Sequence, residues 1–113
     1  MFIPKEEVFK ALSALGYYCL QGSQDTFTEK QLPAITFNVM NNAVNVDLDN
    51  EIASQDVTIG VDIWADSSTE ISTILPKVEE AMRALKYKMS FSADISPQKG
   101  ALYHTNCRFE TLR

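Results

Sequence analysis

Apolar side chains at Val8, Ala11, Leu12 and Leu15 recur at i, i+3, i+4 and i+7, the spacing that places them on one face of a helix. Pro4 stands near the start of this stripe and Gly16 where a C-terminal cap belongs, so the pattern predicts an amphipathic helix over residues 4–15. Tyr17, Tyr18, Cys19 and Leu20 form a short β-prone run. The polar stretch after it, residues 21–31, has turn formers and no period, and reads as a loop.

From Leu32 the period becomes two. Ile35, Phe37 and Val39 fall on one side and Thr36, Asn38 and Met40 on the other, and the alternation resumes at Val44, Val46 and Leu48. Beyond the polar residues around Asp49, Asn50 and Glu51, a second row (Val57, Ile59, Val61, Ile63) alternates with Thr58, Gly60, Asp62 and Trp64. These runs predict a long antiparallel hairpin with its tip at residues 47–55.

Ser67 and Glu70 have capping-box spacing and precede Ile71, Ile74, Leu75, Val78, Met82 and Leu85 at helical intervals. Pro76 lies inside that stripe, where a lost backbone hydrogen bond and a clash with the preceding turn predict a kink or a broken first turn. Met89, Phe91, Ala93 and Ile95 then alternate as a strand, residues 96–100 make a turn, and Tyr103, Thr105, Cys107 and Phe109 form one face of a last strand.

Two helices with one apolar stripe each can cover only one side of a mostly antiparallel sheet. The expected fold class is α+β, a two-layer sandwich with two helices on one face and a long β-hairpin, in the order α-β-β-β-α-β-β, as a single domain over residues 1–113. With the Val57 to Ile63 row facing the core, Asp62 and Trp64 fall on the uncovered face, as do Leu102, His104, Asn106, Arg108 and Glu110 of the last strand. A polar face set with Trp and Arg resembles the centre of protein interfaces, which makes this face or the hairpin a candidate subunit contact. The competing reading of Trp64 is a side chain packed over the sheet of its own subunit.

The 113 residues include 10 Lys and Arg against 15 Asp and Glu, a net charge of −5, without the basic cluster that tight binding to nucleic acid requires. No apolar run approaches the roughly 20 residues that span a bilayer, and the opening residues carry acids where a signal peptide has its apolar segment. The expectation is a protein that is cytosolic when made, with Cys19 and Cys107 reduced.

Candidate chemistry is sparse. Thiolate catalysis needs His104 and Cys107 within hydrogen-bond reach, but a spacing of three on a strand puts them on opposite faces. A zinc site needs three or four soft or imidazole ligands, and one His and two Cys lie in distant segments. Asp47, Asp49 and Glu51 have the alternate carboxylates of a calcium loop, yet Ile52 stands where such a loop needs Gly, so a solvated acidic tip is expected. No GxGxxG, GxxxxGK or GxSxG motif is present. These observations point to no catalytic residue, no metal and no cofactor.

The N-terminal helix, Leu32-Pro33-Ala34-Ile35-Thr36-Phe37, Val61-Asp62-Ile63-Trp64-Ala65, the helix from Ser67 to Leu85, and Tyr103-His104 with Arg108-Phe109 follow one another in an order that covers nearly the whole chain. As a set they resemble the tail-terminator or tail-to-head joining (neck) proteins of long-tailed bacteriophages and prophages. The resemblance implies a homo-oligomer, commonly a ring of six, that stops tail-tube polymerisation and presents a surface to the head connector. It implies assembly in the host cytoplasm and residence at the head-tail junction of the virion, with no membrane contact and DNA only passing through the lumen. A carboxylate-lined lumen would repel phosphate and let the genome slide. Partners would be copies of the chain, the tail-tube protein and the head-connector protein. Contact candidates are Asp62, Trp64, His104, Arg108, Asp49 and Glu51, with the loop 21–31 and the tip 47–55. The alternatives are a head-completion adaptor of the neck, or a small ligand-binding or enzymatic α+β domain.

Overall fold

The computed structural model describes residues 3–22, 27, 29–46, 48, 49, 52–95 and 102–112. The chain runs through α1 (Pro4–Ser13), β1 (Tyr18–Gln21), a 3-10 turn (Glu29–Gln31), β2 (Ala34–Val46), β3 (Ile52–Ala65), α2 (Ser68–Ala84), β4 (Lys88–Ile95) and β5 (Tyr103–Leu112). Among the described residues these strands form one five-stranded sheet in the order β1-β2-β3-β5-β4. All neighbours are antiparallel except β1 and β2, which are parallel. The fold is therefore the expected α+β arrangement in the expected order.

The apolar stripes meet as their spacing dictates. Val8 and Leu12 of α1 and Ile71, Ile74, Val78 and Met82 of α2 pack with Ile35 and Phe37 of β2, the Val57 to Ile63 row of β3, and Cys107 and Phe109 of β5. Each large side chain withdrawn from water in this way contributes about 1.5–3 kcal/mol. Helix α2 starts as its sequence demands, with the Ser67 hydroxyl accepting from the Glu70 backbone N–H at 3.2 Å. Helix α1 stops two residues short of the expected end, and Gly16 follows with a φ of +90°, a conformation open to glycine at little cost.

Three expectations need correction. Helix α2 continues from Ser68 to Ala84 with Pro76 inside it, without the broken first turn. Pro76 and Ser72, whose carbonyl loses its partner, both lie on the exposed side, so water can take the missing donor's place. Strand β4 does not hold Met89 and Ala93 on one face. A bulge between Met89 and Phe91 sets Met89 opposite Phe109 on the core side and Ala93 opposite Asn106 on the other. Tyr103, expected on the inner row of β5, is exposed, while Thr105, Cys107 and Phe109 are buried. The turn expected at residues 96–100 lies outside the described residues.

The hairpin of β2 and β3 outruns the core. A second bulge, between Val39 and Asn41, marks the departure, and pairing continues to Val46 opposite Ile52. The result is a projecting arm in a molecule of 55 × 25 × 21 Å. Residues 40–46 are all exposed, with Met40, Val44, Val46 and Leu48 among the exposed large apolar side chains. In place of a core, polar side chains join the two strands: Asn45 Nδ2 donates to Ser54 Oγ (3.0 Å) and Asp56 Oδ2 (3.1 Å), and Gln55 Nε2 to Asn42 Oδ1 (2.7 Å).

Candidate functional site

On the face away from the helices, the register of β3 and β5 sets Trp64 directly opposite His104 and Asp62 opposite Asn106. Because side chains alternate along a strand, Asp62 and Trp64 share a face, as do His104 and Asn106, and the four converge. Asp62 Oδ1 lies 2.6 Å from His104 Nε2 and accepts from Asn106 Nδ2 at 2.8 Å. Burial pushes the Asp62 carboxyl up, but the hydrogen bonds from His104 and Asn106 and the nearby imidazole outweigh it and hold the group below the usual carboxylate range. An ionised carboxylate only accepts, so the Nε2 proton of His104 donates to it.

The other side of the imidazole is filled by indole. The rings of Trp64 and His104 stack with centroids 3.8 Å apart and planes 9° from parallel. Trp64 Nε1 donates to Thr36 Oγ1 of β2 at 3.2 Å, and Phe27 lies against the indole at 5.7 Å and against Tyr18 at 6.3 Å. Ala34, directly opposite Trp64 on β2, has too small a side chain to obstruct this aromatic layer. Thr36 and Ala34 are fully covered as a consequence. The face that the helices leave uncovered is thus partly closed at this end by the chain's own Phe27 and Trp64, a correction to the expectation that it is bare throughout.

The candidates from the sequence separate into two groups. Asp62, Trp64 and His104 come together, joined by Asn106, Thr36 and Phe27. Arg108 lies one outer-face pair further along β5, opposite Gly60, exposed and away from the stack, with its carbonyl accepting from Ser90 Oγ at 3.3 Å. Asp49 sits exposed in the turn at the far end of the arm, and Glu51 lies outside the described residues. The alternation that placed His104 outward also placed Asn106 there. Nothing local to Thr36 or Phe27 signals their part, which depends on how β1, β2 and β3 line up.

For reaction chemistry the arrangement is closed rather than open. The Asp62 oxygen, one imidazole face and the indole N–H are all engaged within the chain, and Cys107 lies on the opposite, core-facing side. Both cysteines are free thiols; burial raises the Cys19 pKa to about 11. Among the described residues, no three His, Cys, Asp or Glu side chains gather as a metal site needs, and no helix is long and apolar enough to cross a membrane.

A search of curated proteins finds no match to this chain. The family model described as tail completion protein gp17 matches residues 7–112, from the first turn of α1 to the end of β5. That match takes in every strand of the sheet, the projecting arm, all of α2 and α1 from Glu7 onward, and with it the chain belongs to the tail completion protein gp17 family of phage tail proteins.

Proposed function

We propose that this protein is the subunit of a ring at the head-tail junction that ends tail-tube polymerisation and joins the finished tail to the head connector. The observation that carries the reading is the arm. A two-stranded ribbon is marginal in water on its own, and this one holds Met40, Val44, Val46 and Leu48 in solvent beyond the reach of the core. Contact with neighbouring copies, or with tail-tube and connector proteins, would remove those side chains from water. Membership of a tail completion family supports the same setting, a structural component of the virion with no reaction to catalyse. A hexameric ring assembled in the host cytoplasm fits the net charge of −5, since carboxylates around a lumen would keep the passing genome from adhering.

Electron microscopy of particles made without this protein tests the proposal. Overlong, headless tails beside filled heads are the expected result. Tails of normal length beside heads that leak DNA would instead identify a head-completion adaptor and overturn the terminator assignment.

A further inference from the structure

Strand β1 covers β2 only from Ala34 to Phe37, so the same margin of β2 has no neighbouring strand along the arm among the described residues. The other margin of the sheet is β4, whose outer side is likewise without a neighbour. Natural proteins guard such edges with short strands, prolines or charged side chains, because a row of unpaired N–H and C=O groups invites another strand. Strand β1 is guarded by its length of four residues. The arm is not: residues 38–46, NVMNNAVNV, contain no charge and no proline.

We infer that the arm margin of β2 pairs with strand β4 of a second copy, joining the sheets edge to edge around the ring. The inference rests on the ring reading and deepens it by naming the surfaces that meet. Three features of the structure agree on it. The margins lie on opposite sides of one sheet, which makes the contact heterologous and able to close into a ring. Each has a regular run of equal length beyond its bulge, Asn41 to Asn45 on β2 and Phe91 to Ile95 on β4. Their directions also match: β5 runs parallel to β2 and β4 antiparallel to β5, and rotation about a ring axis keeps the sense of strands that run along that axis. Strand β4 of one copy therefore meets β2 of the next antiparallel, the geometry of most pairs within the sheet.

Continuity of the two faces restricts the register, because a one-residue slip would turn every side chain to the wrong side. Ala43, opposite Asp56, and Ala93, opposite Asn106, both belong to the face away from the helices. They are the central residues of their runs, and pairing them keeps outer face with outer face.

The test uses the full chain in assembled tails. Cysteine is introduced at Ala93 together with Ala43, Asn41 or Asn45, allowing for a two-residue shift either way, and the tails are oxidised and run on a non-reducing gel. One double variant should give a ladder of covalent oligomers that its single variants lack. In unmodified tails, amide exchange at residues 41–45 and 91–95 should slow about tenfold or more relative to free protein. A ring seen at the tail end with no ladder from any pair and unchanged exchange would overturn the edge pairing and leave the ring intact. Absence of any ring would remove the reading beneath it, and the pairing with it.

Discussion

Replacement of Asp62 by Asn isolates the charge at the centre of the outer-face cluster. The substitution keeps the size of the side chain and one oxygen; since both donors converge on Oδ1 alone, an amide oxygen at that place can still accept from them, but without the negative charge. Those donors, His104 Nε2 at 2.6 Å and Asn106 Nδ2 at 2.8 Å, belong to side chains that do not reach solvent freely; the His104 and Asp62 side chains are 15% and 22% exposed. Hydrogen bonds to charged groups contribute about 1.5–3 kcal/mol each against about 0.5–1.5 for neutral ones, and at this partly exposed site the lost charge leaves a net loss of about 1–2 kcal/mol for Asp62→Asn. For a chain of 113 residues this corresponds to a melting temperature lower by about 4–8 °C. Urea unfolding followed by the fluorescence of the one tryptophan, Trp64, reads the loss, because the probe lies within the cluster.

The pH dependence supplies the sign. The folded-state pKa of Asp62 lies below its ordinary value, so the stability it adds is present above the unfolded pKa of about 3.9 and disappears as pH falls through the folded value. The gap between parent and Asp62→Asn should be full at pH 5 and shrink as the medium is taken to pH 3 and below. Glu80→Gln, on the exposed side of α2, serves as the control and should stay within about 0.5 kcal/mol. A gap at pH 5 no larger than that control, or one undiminished in acid, would refute the assignment of Asp62 as an ionised acceptor.

Ser67→Ala removes the cap on the Glu70 N–H and should cost about 1 kcal/mol in thermal unfolding, with Thr restoring most of it. Cys19, held largely as the thiol by burial, should react with iodoacetamide more slowly than an exposed cysteine, at a rate that keeps climbing until the pH nears 11; a plateau near pH 9 would contradict the burial. Gly60→Ala brings a Cβ to 2.8 Å from Met40 Sδ, but Met40 is half exposed and free to swing away. The strain of about 0.5–1.5 kcal/mol should be offset by the lower entropy of the unfolded chain, leaving stability within about 1 kcal/mol while the apolar cover over the start of the arm changes.

How far the sequence could be read follows from the range of the forces involved. The helices and the β3 row were legible because burial acts on each element alone: Val8 and Leu12, or Val57 to Ile63, must face the same way whatever lies opposite. The Ser67 cap was legible because its partner is three residues distant. The bulges at Met40 and beside Ser90 were not, since each is an adjustment of one strand to a neighbour and nothing in NVMNN or KMSFS requires it. Pro76 misled because its cost depends on whether Ser72 reaches water, a property of how α2 is rotated on the sheet. Asp62, Trp64 and His104 were each placed on the correct face, but their union depends on the register of β3 against β5, which no single strand specifies.

The same distinction bears on where an assembly would draw its free energy. A side chain already bonded within its own chain gains little from a partner, because new contacts must replace existing ones and any donor left behind costs about 1–3 kcal/mol. Asp62, His104 and Trp64 are in that position, so their truncation should act first on the fold and only through it on association. The arm is the opposite case. Its margin offers backbone groups without a strand beside them among the described residues, and Val44, Val46 and Leu48 stand in water, so a neighbouring strand would add hydrogen bonds and burial without dismantling either. Substitutions there should separate the two effects: Val46→Ser leaves the melting temperature of free protein within about 2 °C yet weakens incorporation into tails, whereas equal losses of both would place the arm inside the folding unit and not between subunits.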